Sequence, residues 1–151
     1  MENVFDAKDA QNYINRINNL VEDTHGLWGR MTVDQMLAHC CITYEMVYEP
    51  EKHKKPGVIA KFILKNFVKS KVVGEKAYPR DSPTAPQFLI KERRDFDEEK
   101  KRLIGYIQKT QQLGPAAFDG KESFSFGKLS SREWNNMFAK HLNHHLSQFG
   151  V

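Results

Sequence analysis

Helical periodicity is the feature that most constrains the fold of this chain. Apolar residues recur every three or four positions along almost all of its 151 residues, which is the pattern of helices that each bury one face. No segment alternates apolar and polar residues with the period of two that is typical of a half-buried strand. The sequence therefore predicts an all-α protein, with four main helices of bundle length and a shorter one.

Local signals mark where the predicted helices begin and end. The first helix is predicted over residues 7–21, where the apolar stripe is clearest. The stretches TVDQ at Thr32 and SSRE at Ser130 are capping boxes, which start the second and the last helix. Pro50 ends the second helix, and the Gly114–Pro115 pair ends the fourth.

The third predicted helix, GVIAKFILKNFVKSKVV, carries two different stripes. Three lysines repeat every four residues and are expected to form the solvated face: Lys61, Lys65 and Lys69. Four apolar residues lie opposite and are expected to face the core: Ile59, Ile63, Leu64 and Phe67. An amphipathic helix bound to a membrane surface or to nucleic acid is the alternative. Plentiful acidic residues elsewhere and the lack of interleaved aromatic and basic residues argue against it, so neither partner is predicted.

A long proline-containing connection over residues 74–94 joins the third and fourth helices. Connections of this length are usually either functional or disordered. The segment could close over a site and supply positive charge to an anionic substrate from Arg80, Lys91, Arg93 and Arg94. The simpler interpretation is a solvated connection. Residues 115–129 are predicted to be irregular, with aromatic residues that pack in part.

Composition places the chain among single-domain globular proteins over residues 1–151. The formal net charge is +4, a mild basic excess that does not identify a partner. The two cysteines, Cys40 and Cys41, are adjacent and do not suggest a disulfide framework. The N-terminus lacks the basic start and apolar run of a signal peptide, and the most apolar stretch is interrupted by lysines. A cytoplasmic location is the prediction.

Histidines are concentrated near the C-terminus, where HLNHH holds three of the six in the chain. Each residue turns a helix by about 100°, which centres the apolar arc of the last helix close to His141 and His145. Both side chains are therefore expected to face the core, with His144 near the edge of the arc. Two imidazoles at i and i+4 can share a metal ion, and zinc or nickel accepts imidazole readily.

A third ligand is needed, because a catalytic zinc usually has three protein ligands and one open position. His39, in MLAHCC, flanks the apolar arc of the second helix and is the candidate. The alternatives are that each histidine is an ordinary hydrogen-bonded core residue, or that His144 and His145 form a surface cluster. Cys40 could be a soft ligand, although buried cysteines mostly act as small hydrophobic residues.

Two motifs carry a resemblance to a known superfamily. The stretch LWGRMTVDQMLAHC resembles the second-helix motif of the DinB/YfiT-like metalloenzymes, and HLNHHLSQ resembles their terminal H-x-x-H-H-x-x-Q signature. The chain is most similar to a bacterial branch known as a domain of unknown function, in which a tryptophan and an MT-x-x-QMLAH helix recur. The resemblance extends over nearly the whole chain.

This resemblance implies a DinB-like four-helix bundle of up-down-down-up character. It implies a divalent metal, zinc or nickel, held by His39, His141 and His145, with His144 matching the non-ligand histidine and Gln148 the glutamine of the signature. Characterised relatives include transferases and isomerases that use a low-molecular-weight thiol. Such relatives often pair through bundle faces, so a homodimer is possible.

The chemistry expected of such a site is activation of a thiol or of water by the metal. Tyr44 and Gln148 are candidates for hydrogen bonds to the ligands, with core packing as the alternative for Tyr44 and helix capping for Gln148. Glu45 lies off the face of His39, so no general base is evident, and the catalytic residues stay unassigned. The leading hypothesis is a metal-dependent, transferase-like or hydrolase-like enzyme acting on a small molecule. The alternative is a non-catalytic bundle, with a structural or vestigial metal site, that acts in self-association or partner binding.

Overall fold

The computed structural model describes residues 2–151, and most of them are helical. Its α-helices are α1 (Ala7–Asn18), α2 (Val33–Tyr48), α3 (Val58–Ile63), α4 (Lys69–Val73), α5 (Phe96–Leu113) and α6 (Ser131–Gln148). A π-helical turn, Leu64–Val68, joins α3 to α4 without a break. Short 3-10 turns follow α2 at Pro50–Lys52, precede α5 at Pro86–Phe88 and follow α5 at Pro115–Ala117. None of the helices within residues 2–151 combines the length and the apolarity needed to cross a membrane.

The capping signals start helices where the sequence indicates. At α2, the Gln35 side chain accepts a hydrogen bond from the Thr32 backbone N–H at 3.1 Å. At α6, Glu133 accepts from the Ser130 backbone N–H at 2.9 Å, and the Ser130 hydroxyl accepts from the Glu133 N–H at 3.3 Å. These reciprocal bonds satisfy N–H groups that the first turn of a helix leaves free.

The core lies between the long helices. Helix α2 packs most extensively against α5, while α1 contacts both α5 and α6, and α4 contacts α6. Stacked aromatic rings fill the centre, where Phe138 lies 4.6 Å from Tyr44 and 5.6 Å from Trp134 between ring centroids. Each of these three side chains is 1% exposed. Burial of aromatic rings on this scale stabilises the fold and fixes the rotation of α2 and α6 about their axes.

The third predicted helix forms, but the prediction of its inner face is wrong. Ile59, Ile63 and Phe67, which were expected in the core, are 78%, 48% and 67% exposed. Lys61 and Lys69 instead turn towards the protein, where their ammonium groups pair with Glu122 at 3.2 Å and with Glu133 at 2.8 Å. Of the four apolar residues named from the sequence, only Leu64 lies on the inner side, on a cavity wall with Val68 and Val72.

A small β-hairpin replaces the irregular segment predicted before α6. Its strands, β1 (Lys121–Ser123) and β2 (Gly127–Leu129), are antiparallel, with Glu122 opposite Lys128. The three-residue strands are too short for a period of two to be recognised. Gly127 begins the second strand at a φ of +76°, in the left-handed region that favours glycine. The fold is therefore mostly helical rather than strictly all-α.

Candidate metal centre

Three histidines from two helices meet at one point of the interior. His39 on α2 and His141 and His145 on α6 place candidate ligand atoms within 4.8 Å of one another. Ring centroids are 4.9 Å apart for His39–His141, 4.5 Å for His39–His145 and 4.8 Å for His141–His145. The structure thus brings together the two C-terminal imidazoles and the one from far upstream, as the sequence predicts.

The spacing of the nitrogens suits a metal ion of ordinary size. The Nε2 atoms of His39 and His141 lie 2.9 Å apart. Two imidazole nitrogens that each bind a tetrahedral zinc at 2.0–2.1 Å are separated by about 3.4 Å. Small ring movements would therefore admit an ion, and the all-imidazole donor set matches what zinc and nickel accept.

Backbone and side-chain partners hold the rings of His39 and His141. The His39 Nδ1–H donates to the Phe88 carbonyl oxygen at 2.9 Å, which leaves Nε2 with a free lone pair. The His141 Nδ1 lies 3.1 Å from the Thr43 hydroxyl, which can donate or accept. Thr43 is therefore compatible with either tautomer of His141, including the one that frees Nε2 for a metal. Such partners fix ring orientation and raise the affinity of a metal site.

The third ring is fixed by a chain of two hydrogen bonds. The Gln148 amide nitrogen donates to the Trp28 carbonyl at 2.8 Å, so its Oε1 faces His145. That oxygen accepts from the His145 Nδ1–H at 2.8 Å, which leaves the His145 Nε2 free for a metal. Gly29 permits this arrangement, because its φ is +81° and a Cβ there would lie 2.3 Å from the Gln148 amide nitrogen.

Burial keeps the site in the state that a metal requires. Desolvation lowers the pKa of His39, and it lowers that of His145 to about 3 with help from the neighbouring His39 ring. Burial, together with His145 and His39, also holds the pKa of His141 well below its usual value. All three imidazoles are therefore neutral at pH 7, the form that binds metal.

A cavity of ≈ 280 Å³ opens beside the three rings. Its walls come from α2, α6, the α3–α4 segment, the hairpin turn and the connection between α4 and α5. His144 also borders it, with its ring 4.9 Å from that of His145 and 5.7 Å from that of Tyr78. Burial lowers the pKa of His144 as well, but this residue lies outside the group of three.

Tyr44 and Gln148 were both predicted to support the ligands, and they lie in different places. Gln148 contacts His145 directly. Tyr44 stacks in the core between Tyr106 and Phe138, and its hydroxyl has no hydrogen-bond partner within residues 2–151. Thr43, one position earlier, holds His141 instead. It lies four residues after His39 and so shares its helical face, which is the signal that could have identified it.

Other residues considered from the sequence lie away from the ligand atoms. Cys40 and Cys41 are free and fully buried, and burial raises the pKa of both thiols. Glu45 pairs with Arg102 and, at 2.8 Å, with His53. The supporting carbonyls of Phe88 and Trp28 could not be found from sequence, because every residue has a backbone carbonyl.

The connection over residues 74–94 does form part of the cavity wall, but its cations do not reach the site. The Arg80 guanidinium stacks over the Trp28 ring at 4.5 Å. Arg93 and the Arg94 backbone N–H both bind the buried Asp34 carboxylate. None of the four cations predicted to meet an anionic substrate borders the cavity in the described chain.

Comparison with known proteins identifies the family of this chain. Residues 2–150 match the model of the family described as "Protein of unknown function (DUF1569)". A search of curated proteins and a search of solved structures each gave no match. With a match that covers almost the whole chain, the protein belongs to the DUF1569 family, which is a DinB/YfiT-like family.

Proposed function

We propose that the protein is a metal-dependent enzyme in which His39, His141 and His145 bind zinc or nickel. One observation carries the proposal: three neutral imidazoles converge on the wall of a cavity large enough for a small molecule. A structural zinc would be expected to fill its four positions with protein ligands. Three ligands beside a cavity are the arrangement of a catalytic site.

The proposed reaction class is activation of a nucleophile, transferase-like with a thiol or hydrolase-like with water. A divalent metal bound by three neutral ligands keeps its full charge, and it lowers the pKa of a water or thiol that binds to it. The chain's own contribution is to hold the three rings through Phe88, Thr43 and Gln148 and to line a small-molecule cavity beside them.

The fold that we propose with this function is the DinB-type four-helix bundle with up-down-down-up order, formed by α1, α2, α5 and α6. A cytoplasmic location, which keeps the adjacent thiols Cys40 and Cys41 reduced, belongs to the same proposal. We also propose that the protein acts on its small-molecule substrate without binding nucleic acid or a membrane.

Metal analysis of protein purified without a histidine tag tests this function. We expect about one zinc or nickel per chain, and a loss of most of it in His141→Ala and in His145→Ala. His144→Ala is the matched control, because it removes a neighbouring imidazole outside the ligand group and should keep the metal. Equal losses in His144→Ala and His145→Ala, or a wild-type protein that binds no added metal, would contradict the proposal.

The alternative function is a non-catalytic one, and the exposed apolar face of α3 favours it. Val58, Ile59 and Phe62 are 88%, 78% and 64% exposed, and exposed apolar clusters often mark interfaces. The partner that we propose for this alternative is a second copy of the chain. Light scattering would then detect a dimer that Phe62→Lys dissociates, with the metal content unchanged in both forms.

A further inference from the structure

The cavity beside the three histidines has walls without formal charge. Its apolar part comes from each surrounding element, as represented by Met46, Val47, Val68, Phe88, Phe126 and Met137. The polar groups among them are neutral hydroxyl, amide and imidazole groups. Within residues 2–151, the lining contains no Asp, Glu, Lys or Arg. An ion would lose its hydration there without gaining an opposite charge, which is strongly unfavourable.

Lys140, a buried cation near the cavity, is already bound elsewhere. Lys140 is 3% exposed, and its ammonium donates to the carbonyl oxygens of Lys71 and Gly74 at 2.7 and 2.6 Å. It also lies 4.7 Å from the centre of the Tyr78 ring, and it is not among the residues that line the cavity. Burial raises the pKa of Tyr78 to about 12, so its hydroxyl stays neutral. In the metal-free protein, an anionic ligand would therefore find no cation on these walls.

The size and polarity of the cavity further restrict the class of ligand that can bind. A cavity of roughly 150 Å³ lined by apolar side chains holds benzene, so ≈ 280 Å³ suits a molecule of about two fused rings or a short branched chain. Residues with hydroxyl groups also border the cavity, among them Thr84 and Ser125, and a hydroxyl can donate to an acceptor oxygen on a bound molecule.

The wall on the α3–α4 side is built by an irregular helix. The π-helical turn Leu64–Val68 inserts one extra residue per turn, and both of its end residues border the cavity. Turns of this type occur frequently at functional sites. The π-helical turn therefore places the two apolar side chains of Leu64 and Val68 on the cavity wall.

We propose that the substrate is an uncharged, predominantly apolar small molecule of about two fused rings that carries an acceptor oxygen and binds in this cavity. The inference rests on the proposed function, since it treats the cavity as the substrate site of the metal centre. It deepens that function by naming the substrate class: away from the metal the walls offer no counter-ion, so only the metal itself could pair with a charged group on the bound molecule.

Equilibrium dialysis with two probes of the same ring system tests the proposal. The probes are 2-acetonaphthone, which is neutral and has a carbonyl acceptor, and naphthalene-2-sulfonate, which is anionic and a weak metal ligand. Both are measured with metal-free and with zinc-loaded protein. We expect the ketone to bind one site per chain, at least tenfold more tightly than the sulfonate, in both forms of the protein.

Variants of one helix locate the site. Val68→Phe fills the cavity and should weaken ketone binding at least tenfold while the zinc content stays unchanged. Val58→Phe adds the same ring on the outer side of the helix, where Val58 is 88% exposed, and should leave binding unchanged. Val68→Lys introduces a cation and should shift the preference towards the sulfonate, which keeps the test informative if Val68→Phe folds poorly.

The outcomes separate this proposal from the proposed function. Sulfonate binding as tight as ketone binding, or equal losses in Val68→Phe and Val58→Phe, would overturn the ligand class even if zinc binds as expected. Tight and selective ketone binding by a protein that takes up no zinc would support the ligand class and overturn the metal function.

Discussion

Helix α6 and the α3–α4 segment both have a clear helical period, yet only α6 faces the way its pattern predicts. In α6, Trp134 and Phe138 are buried at 1% exposure and His145 at 7%. In the α3–α4 segment, Ile59 and Phe67 are mostly exposed, although the pattern places them inside. A period therefore shows which residues share a face, but it does not always show which face is buried.

The difference arises because α3–α4 has two apolar stripes. Leu64, Val68 and Val72 recur every four residues, just as Ile59, Ile63 and Phe67 do. The first stripe lines the cavity and the second is exposed. In α6, large aromatic residues occupy one face only, so one orientation buries far more apolar area than any other.

Truncating one phenylalanine in each segment gives the largest expected contrast. Phe138→Ala should lower the free energy of unfolding by about 3–5 kcal/mol, because it leaves a cavity among Tyr44, Trp134 and Phe118. Phe62→Ala should change it by less than about 0.5 kcal/mol, since this ring is 64% exposed. Urea unfolding followed by circular dichroism measures both values.

A large loss in Phe62→Ala would break the comparison. It would mean that the outer stripe of α3 is covered in solution, by another copy or by another part of the chain. Measuring the same variants at several protein concentrations distinguishes the two, because only a dimer loses stability on dilution.

Acid should act on α6 through its histidines, and this is the next largest effect. Unfolded histidine has a pKa of about 6.5, whereas His145 in the fold has a pKa of about 3. Below pH 6.5 the unfolded chain binds protons that the folded chain does not, so stability falls with pH and the loss is complete near pH 3. The rings of His39, His141 and His144 all face the His145 ring. Besides burial, His39 and His144 disfavour its protonation, while the hydrogen bond to Gln148 favours it.

A matched variant isolates the contribution of His145 to the pH dependence of stability in metal-free protein. Between pH 6.5 and pH 4.5 the wild type should lose roughly 2 kcal/mol more stability than His145→Gln, which lacks the titrating ring. Unfolding curves recorded at several pH values in the presence of a chelator give the slope of stability against pH for both proteins. Parallel slopes would mean that His145 is hydrated in the folded protein and that α6 is less well buried than we describe.

The third prediction concerns the turn that supports the end of α6. Gly29→Ala places a methyl group against the Gln148 amide, which should displace the acceptor of His145 and weaken zinc binding about tenfold. Gly120→Ala is the control, because its φ of +72° gives similar backbone strain with nothing within 4 Å of the added methyl group. Competition with a zinc chelator measures both affinities, and equal values would show that backbone strain is the only effect.

The sequence predicts those parts of this molecule that depend on local or one-sided patterns. Both capping boxes, the end of α5 at Gly114, and the inward turn of His141 and His145 follow from such patterns. The partner of His39 and the group that orients Gln148 do not, because they are the backbone carbonyls of Phe88 and Trp28, which tertiary contacts bring into reach. The placement of His39 beside the C-terminal pair was suggested by its helical face and by a family resemblance together.

The smallest expected effect tests whether ion pairs are the reason that Lys61 and Lys69 turn towards the protein. Lys69 pairs with Glu133 at 2.8 Å, and the two side chains are 26% and 30% exposed, whereas the Lys61–Glu122 pair is 43% and 56% exposed. Partly solvated pairs contribute only about 0–1 kcal/mol. Lys69→Met should therefore lower the free energy of unfolding by less than about 1 kcal/mol. The difference should shrink in 1 M salt, which screens charges beyond about 3 Å, and Lys61→Met should change stability still less.

A double-mutant cycle of Lys69→Met with Glu133→Gln measures the pair itself. A coupling above about 2 kcal/mol would mean that the ion pairs select the inner face. A smaller coupling leaves that role to the stripe of Leu64, Val68 and Val72, which lines the cavity.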